Sequence, residues 1–232
     1  MRIWIAAAAA LALSACNQPA DVPATTEAPP VAVNAPSGEY TLDPHHTTIT
    51  VRALHFGLAH YTLRFNKVSG TLNFNAEAPA QSSIQASVDV TSLDTPFTGE
   101  RDFDAELQNS SWLNSGDFAT ATFTSTGVEQ TGPSTANVTG TLTIRGRSRP
   151  ATFEVTYNGS HSPHPMGFPI SSIGFTARTT IQRSQFGVNE LLPSAGGVDG
   201  VSDAVEIVID AEFTRPVENA PVQGPGTREP VN

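Results

Sequence analysis

The 232-residue chain has little cysteine, little positive charge and no long apolar run, and each shortage excludes something. With one cysteine, Cys16, no internal disulfide framework can form. Twelve Lys and Arg stand against 22 Asp and Glu, giving a formal net charge of −10. A protein that neutralises phosphates needs a basic face, so a nucleic-acid partner is excluded, and an anionic membrane surface would repel the chain as well. The apolar run at residues 3–13 is too short to cross a bilayer as a helix. Neither a nucleophile elbow nor a glycine-rich phosphate loop after a strand occurs. Charged residues make up only 15% of the chain, and Thr, Ser, Ala and Gly fill the difference, which suits an extracytoplasmic β-protein.

What the ends do contain is informative. Arg2, the apolar run and the small residues after it have the layout of a signal peptide. Leu13-Ser14-Ala15-Cys16 resembles the bacterial lipobox, whose cysteine is acylated and becomes the first residue of the mature protein. Residues 1–15 are therefore expected to be removed and Cys16 to carry the lipid, which two or more acyl chains make a stable anchor. Asn17 stands where an aspartate is associated with inner-membrane retention, so the expected place is the cell envelope, with the outer membrane preferred and the domain in the periplasm. Residues 16–37 hold five prolines among Ala, Thr and Val without apolar period and read as an extended tether. Residues 216–232 read as a disordered tail, which leaves residues 38–215 as one globular domain.

Within that domain two-residue alternation dominates. Ile49, Val51, Ala53 and His55 point one way, followed by Tyr61, Leu63 and Phe65; the apolar set then continues on even positions as Val68, Leu72 and Phe74. The phase slip at Asn66-Lys67 predicts a β-bulge. Further alternating strands are expected around residues 39–42, 84–90, 119–126, 138–144, 153–157, 175–181 and 205–213. One segment breaks the rhythm: residues 98–111, with Phe103 and Leu107 four apart, predict a short helix. Periodicity alone fits a sandwich or a barrel. The bulge and the strand length, which curl a sheet, favour an all-β, lipocalin-like, eight-stranded antiparallel barrel with one short helix.

Several stretches taken in order resemble the YceI-like family. They are Tyr40-Thr41-Leu42-Asp43-Pro44-His45-His46-Thr47; His55 before Gly57; Phe65-Asn66-Lys67-Val68-Ser69-Gly70; Arg101-Asp102 with Leu107 and Trp112; Phe118 with Ala121-Thr122-Phe123; Leu142-Thr143-Ile144-Arg145-Gly146 with Arg149-Pro150; Arg183-Ser184-Gln185-Phe186-Gly187; and Val201-Ser202-Asp203. The resemblance implies a lipocalin-like barrel that binds a polyisoprenoid or related long-chain lipid. The residues it points to as lipid-contacting are His46, Ile49, Val51, His55, Leu63, Phe65, Leu72, Phe74, Arg101, Phe103, Leu107, Trp112, Phe123, Phe175, Arg183 and Phe186. Arg101, with His46 and Arg183 behind it, is the expected donor to an anionic or quinone-like head group. No cofactor is expected beyond such a bound isoprenoid or quinone-like lipid.

The residues read by themselves leave alternatives open. His55 is either a hydrogen-bonded core histidine or a ligand contact. The phenylalanines are either core packing or cavity lining. Arg145, Arg147 and Arg149 read as solvated turn residues, and Gly146 as a turn glycine with positive φ. Asp102 and Asp104 do not share a helix face, and the His161–His164 region has no carboxylate beside it, so neither a catalytic pair nor a metal site is expected. The expected function is a tethered lipid carrier and not an enzyme; its rivals are a structural or stress-related envelope lipoprotein with a packed barrel and an enzyme acting on a lipid. The first needs a dry elongated hollow, the second a filled centre, and the third polar groups converging within the barrel.

Overall fold

The computed structural model describes residues 33–217. Eleven strands and one helix follow in order: β1 (Gly38–Leu42), β2 (Thr48–His55), β3 (Ala59–Phe65), β4 (Val68–Phe74), β5 (Ser83–Asp89), β6 (Leu93–Asp94), α1 (Phe103–Gln108), β7 (Thr120–Gln130), β8 (Thr135–Ile144), β9 (Arg147–His161), β10 (Ile170–Gln182) and β11 (Val201–Pro216). Their pairings are antiparallel, and β1, β4, β5, β7, β8, β9, β10 and β11 form a ring that closes where β1 meets β11. The expected eight-stranded antiparallel barrel is thus the fold.

Three of the staves are bent and interrupted, which is why eleven strands make eight. β1 and β2 both run along β11, one pairing at Leu42↔Phe213 and the other at Ile49↔Ile209. Likewise β3 and β4 are one bent stave, facing β2 and β1 on one side and β6 and β5 on the other. The interruption at Asn66-Lys67 is larger than the expected bulge. Residues 66–67 face residues 89–92 across the break, and the Ser92 hydroxyl accepts from the Asn66 and Lys67 N–H groups at 3.1 and 2.9 Å. That serine replaces the ladder partners the break removes, so no donor is orphaned where the barrel bends. The phase slip itself is present, since Leu63, Phe65, Val68 and Leu72 all face the interior.

The helix is shorter than expected. Asp102, whose carboxylate accepts from the Ala105 N–H at 2.9 Å, fixes its first turn, and it ends at Gln108. It lies between β6 and β7 in the chain and lines the barrel interior with Phe103 and Leu107. Asp104 ties it to β6 by accepting from the Thr95 N–H and hydroxyl at 3.0 and 2.6 Å. Arg145 and Gly146 both have positive φ, the requirement of a two-residue primed turn between β8 and β9.

Toward the other end of the barrel a tightly packed cluster forms. Tyr40, Leu42, Leu72, Phe74, Tyr157, Ile173 and Phe213 form one buried cluster, in which Tyr40 and Ile173 are fully enclosed. Ring contacts lock it, with Tyr40 on Phe74 at 6.3 Å and Phe175 on Phe213 at 6.2 Å. Residues at the end of the expected tether belong to this cluster: Ala35 is buried within it, the Asn34 N–H donates to Ser160 Oγ, and the Tyr40 hydroxyl donates to the Pro36 carbonyl at 2.7 Å. At the far end of the chain β11 runs to Pro216, and the Val217 N–H donates to the Pro169 carbonyl. The expected signal peptide, Cys16, the tether up to residue 32 and the tail from residue 218 lie outside the described residues.

Candidate functional site

Two apolar chambers lie inside the barrel. The helix-side chamber has a volume of about 410 Å³ and runs from α1 and the β2–β3 turn to mid-barrel. The turn-side chamber, about 230 Å³, lies between the solid cluster, the β7–β8 turn and residues 79–84. Ile49, Ala86, Phe123, Phe153 and Ile209 line both chambers and so make a waist between them, where the Phe123 and Phe153 rings meet edge to face at 4.9 Å. The larger chamber by itself falls within the ~300–1,000 Å³ usual for ligand pockets. Its space comes from small inward side chains: Ala53, Ala86 and Ala121 occupy wall positions where a filled core would carry Leu or Phe.

Most residues singled out in the sequence meet on these walls. Ile49, Val51, His55, Leu63 and Phe65 line the helix-side chamber from β2 and β3; Arg101, Phe103, Leu107 and Trp112 line it from in and around α1; and Phe123, Arg183 and Phe186 complete it. Leu72, Phe74 and Phe175 line the turn-side chamber. His46 lines neither. It sits in the turn between β1 and β2, exposed, with its ring 2.8 Å from the Asp43 carboxylate, and so is corrected out of the head-group set. That hydrogen bond is the main reason its pKa is raised above 6.5.

The two arginines on the wall are already occupied. Arg183 is buried, and each of its side-chain nitrogens donates to a backbone carbonyl: Nε to Ser202 at 3.0 Å, Nη1 to Val188 at 2.9 Å and Nη2 to Val201 at 2.8 Å. Its guanidinium also lies 5.6 Å from the Trp112 ring centre. Burial lowers its pKa, and Asp203 and Glu190 act in the opposite direction. It holds residues 183–188 against the start of β11, a scaffold task, while lining the helix-side chamber. Arg101 stacks over Phe103 and Phe97 at 4.6 and 5.1 Å and pairs with Glu106 at 3.2 Å. Arg145, expected as a solvated turn residue, instead bridges elements: it donates to the carbonyls of Gly187 and, at 2.6 Å, Ser110.

His55 is exposed at the rim, its ring 4.7 Å from that of Phe56. The rim is itself apolar: Phe56, Leu58, Leu191 and Val198 are exposed large hydrophobics. They are held together by the hydrogen bonds from Phe56 N–H to Gly200 and from Val201 N–H to Leu191, and by Gly57, whose backbone lies against Val198. The turn-side chamber has its own exposed rim at Val33, Gln130 and Pro133. Among the described residues, no charged side chain lines the turn-side chamber.

Sequence reasoning missed Tyr61 and Phe97 as wall residues, along with Phe153, Ile207, Ile209 and the inward alanines. Tyr61 was legible as an inward position, since it continues the alternation of Leu63 and Phe65. Among the described residues, no group of three or more His, Cys, Asp and Glu side chains is arranged to hold a metal ion, and no helix is long and apolar enough to cross a membrane.

Comparison with known proteins agrees with the architecture. The family described as "YceI-like domain" matches residues 40–213. A UPF0312 protein of Pseudomonas fluorescens is 33% identical over 165 residues, spanning 70% of this chain and 83% of that protein. One from Shewanella oneidensis is 32% identical over 173 residues, spanning 73% and 86%. Among solved structures, BcnA of Burkholderia cenocepacia superposes with a TM-score of 0.61 at 23% identity, covering 74% of this chain and 98% of BcnA. A polyisoprenoid binding domain from Saccharophagus degradans gives 0.55 at 14% identity, covering 76% and 98%. At those identities the superpositions speak for the fold alone, whereas the family match spans most of the chain. With its closed barrel and its ordered motifs, the chain belongs to the YceI-like family.

Proposed function

We propose that this protein is a membrane-tethered carrier that takes up a polyisoprenoid or similar long-chain lipid in its barrel, shields it from water and releases it at another surface. The observation that carries the reading is the pair of apolar chambers meeting at a waist, a shape that suits a long, thin, greasy chain better than a compact metabolite. Each buried methylene contributes about 0.8 kcal/mol, so ten of them supply roughly 8 kcal/mol before ordering terms, and no elaborate polar chemistry is required. The polyisoprenoid binding domain that shares the fold supports the same ligand class. Exposed Leu58 and Val198 beside the helix-side rim give that end an apolar face toward a bilayer, and acylation of Cys16 would keep the domain near one.

Native mass spectrometry of the gently purified full chain should show an added apolar mass, and the emptied protein should take it or a prenyl lipid back. A barrel that arrives empty and takes up no prenyl lipid contradicts the proposal and favours the packed envelope lipoprotein.

A further inference from the structure

We infer that the hydroxyl of Tyr61 is the polar anchor of the helix-side chamber, and that it selects an uncharged ligand head carrying an acceptor oxygen, such as a ketone, ether or alcohol, over a diphosphate. The inference deepens the lipid-carrier reading and rests on it.

Two buried side-chain oxygens among the described residues lack a hydrogen-bond partner, Tyr61 Oη and Ser172 Oγ. Only Tyr61 belongs to a chamber wall. Burying a hydroxyl without a partner is unfavourable, so an unpaired one inside a cavity marks a place where a ligand atom restores the lost hydrogen bond. The ring is held in place: Phe103 of α1 meets it edge to face at 5.8 Å and 81°, and β3 fixes its backbone opposite Ala53. Tyr61 therefore brings to an apolar wall a hydroxyl, covered in the empty protein, that can donate one hydrogen bond.

The charged groups of the same chamber point to a neutral head. Arg101 and Arg183 are the formally charged side chains on its wall. The three side-chain nitrogens of Arg183 each hold a backbone carbonyl, and Arg101 lies over the Phe103 and Phe97 rings and pairs with Glu106. A diphosphate entering here would find Arg183 committed to backbone carbonyls and, as counter-charge, only Arg101, which already shares its charge with Glu106 at the exposed edge of the chamber. A carbonyl oxygen needs only the Tyr61 proton, and gains a hydrogen bond that water no longer competes for.

The test uses the full chain and Tyr61→Phe, with three isoprenoids of equal length: a ketone, the matching hydrocarbon and the diphosphate. Removing an unpaired buried hydroxyl leaves the unfolding midpoint unchanged or slightly raised, so the variant folds. The wild type should bind the ketone about tenfold more tightly than the hydrocarbon, Tyr61→Phe should erase that advantage, and the diphosphate should bind no better than the hydrocarbon. Equal ketone affinity in wild type and variant, or a preference for the diphosphate, overturns the anchor while leaving the carrier reading intact. Failure of all three lipids to bind the wild type overturns the carrier reading and the anchor together.

Discussion

The two ends of the barrel are built from the same alternating strands and come out differently. At one end Tyr40, Phe74, Tyr157, Ile173 and Phe213 interlock around side chains with no exposure at all, and residues 34–37 are stitched across them. At the other, alanines and aliphatics stand back from the axis, and a six-residue helix covers the gap instead of filling it. Close packing is thus not a property of the fold as such. It is set position by position by how much volume each inward side chain brings, and in this chain more volume is withheld where α1 closes the barrel than beside the packed cluster.

That contrast predicts unequal responses to truncation. Ile173→Ala in the packed cluster should lower stability by about 2–5 kcal/mol, because it opens a void where none existed. Leu63→Ala in the helix-side wall should lower it by markedly less, since its side chain already borders empty space and only the transfer contribution is lost. Equal losses in denaturant unfolding would erase the distinction between the ends.

A smaller structural effect with a large functional one is expected at the waist. Ala86→Phe adds a ring where both chambers meet, into space and not into packed atoms, and should lower stability by less than the ~1–3 kcal/mol typical of overpacking. Lipids long enough to pass the waist should bind at least tenfold more weakly, while short chains still enter the helix-side chamber. Unchanged binding of long chains, measured by fluorescence displacement, would mean that the two chambers are not used together.

The smallest effect concerns the turn between β1 and β2, which neither chamber includes. His46 has a pKa raised by its hydrogen bond to Asp43, so the pair's contribution to stability is fully present below about 6.5 and fades as pH rises through the raised value. For Asp43, burial pushes the carboxyl up, but hydrogen bonds from His46 and the His45 N–H outweigh it and hold the carboxyl below 3.8. Its share is therefore present above 3.8 and is lost as pH falls through the lowered value. Unfolding midpoints of wild type and His46→Ala should diverge only between these limits, and a constant offset across the whole range would contradict the pairing. Lipid uptake should be indifferent to the substitution.

What the sequence made legible follows the same physical division. The barrel and its inward faces were readable because a strand's period of two survives any change in side-chain size, and the slip at Asn66-Lys67 showed as a shift from odd to even positions. The hollow was not readable, because an inward alanine and an inward leucine count alike in an apolar pattern and only the assembled volume separates them. The bonds of Arg145 and Arg183 were hidden for another reason: their partners are backbone carbonyls, Gly187 and Ser110 for one and Ser202, Val188 and Val201 for the other, which no side-chain pattern announces. The helix was overdrawn because the Phe103–Leu107 spacing marks its inner face but not its ends, which Asp102 and the turn after Gln108 set. His46 stood inside a recognisable motif yet turns outward, since the motif spans a turn and not a strand.

The most direct measurement is a crystal structure of the protein equilibrated with a long prenyl lipid. Continuous elongated density should start beside Tyr61 and α1, pass Ala86, Phe123 and Phe153, and end against the cluster around Phe74 and Phe213. Side chains closing over both chambers, with the lipid absent or lying outside the strands, would contradict it.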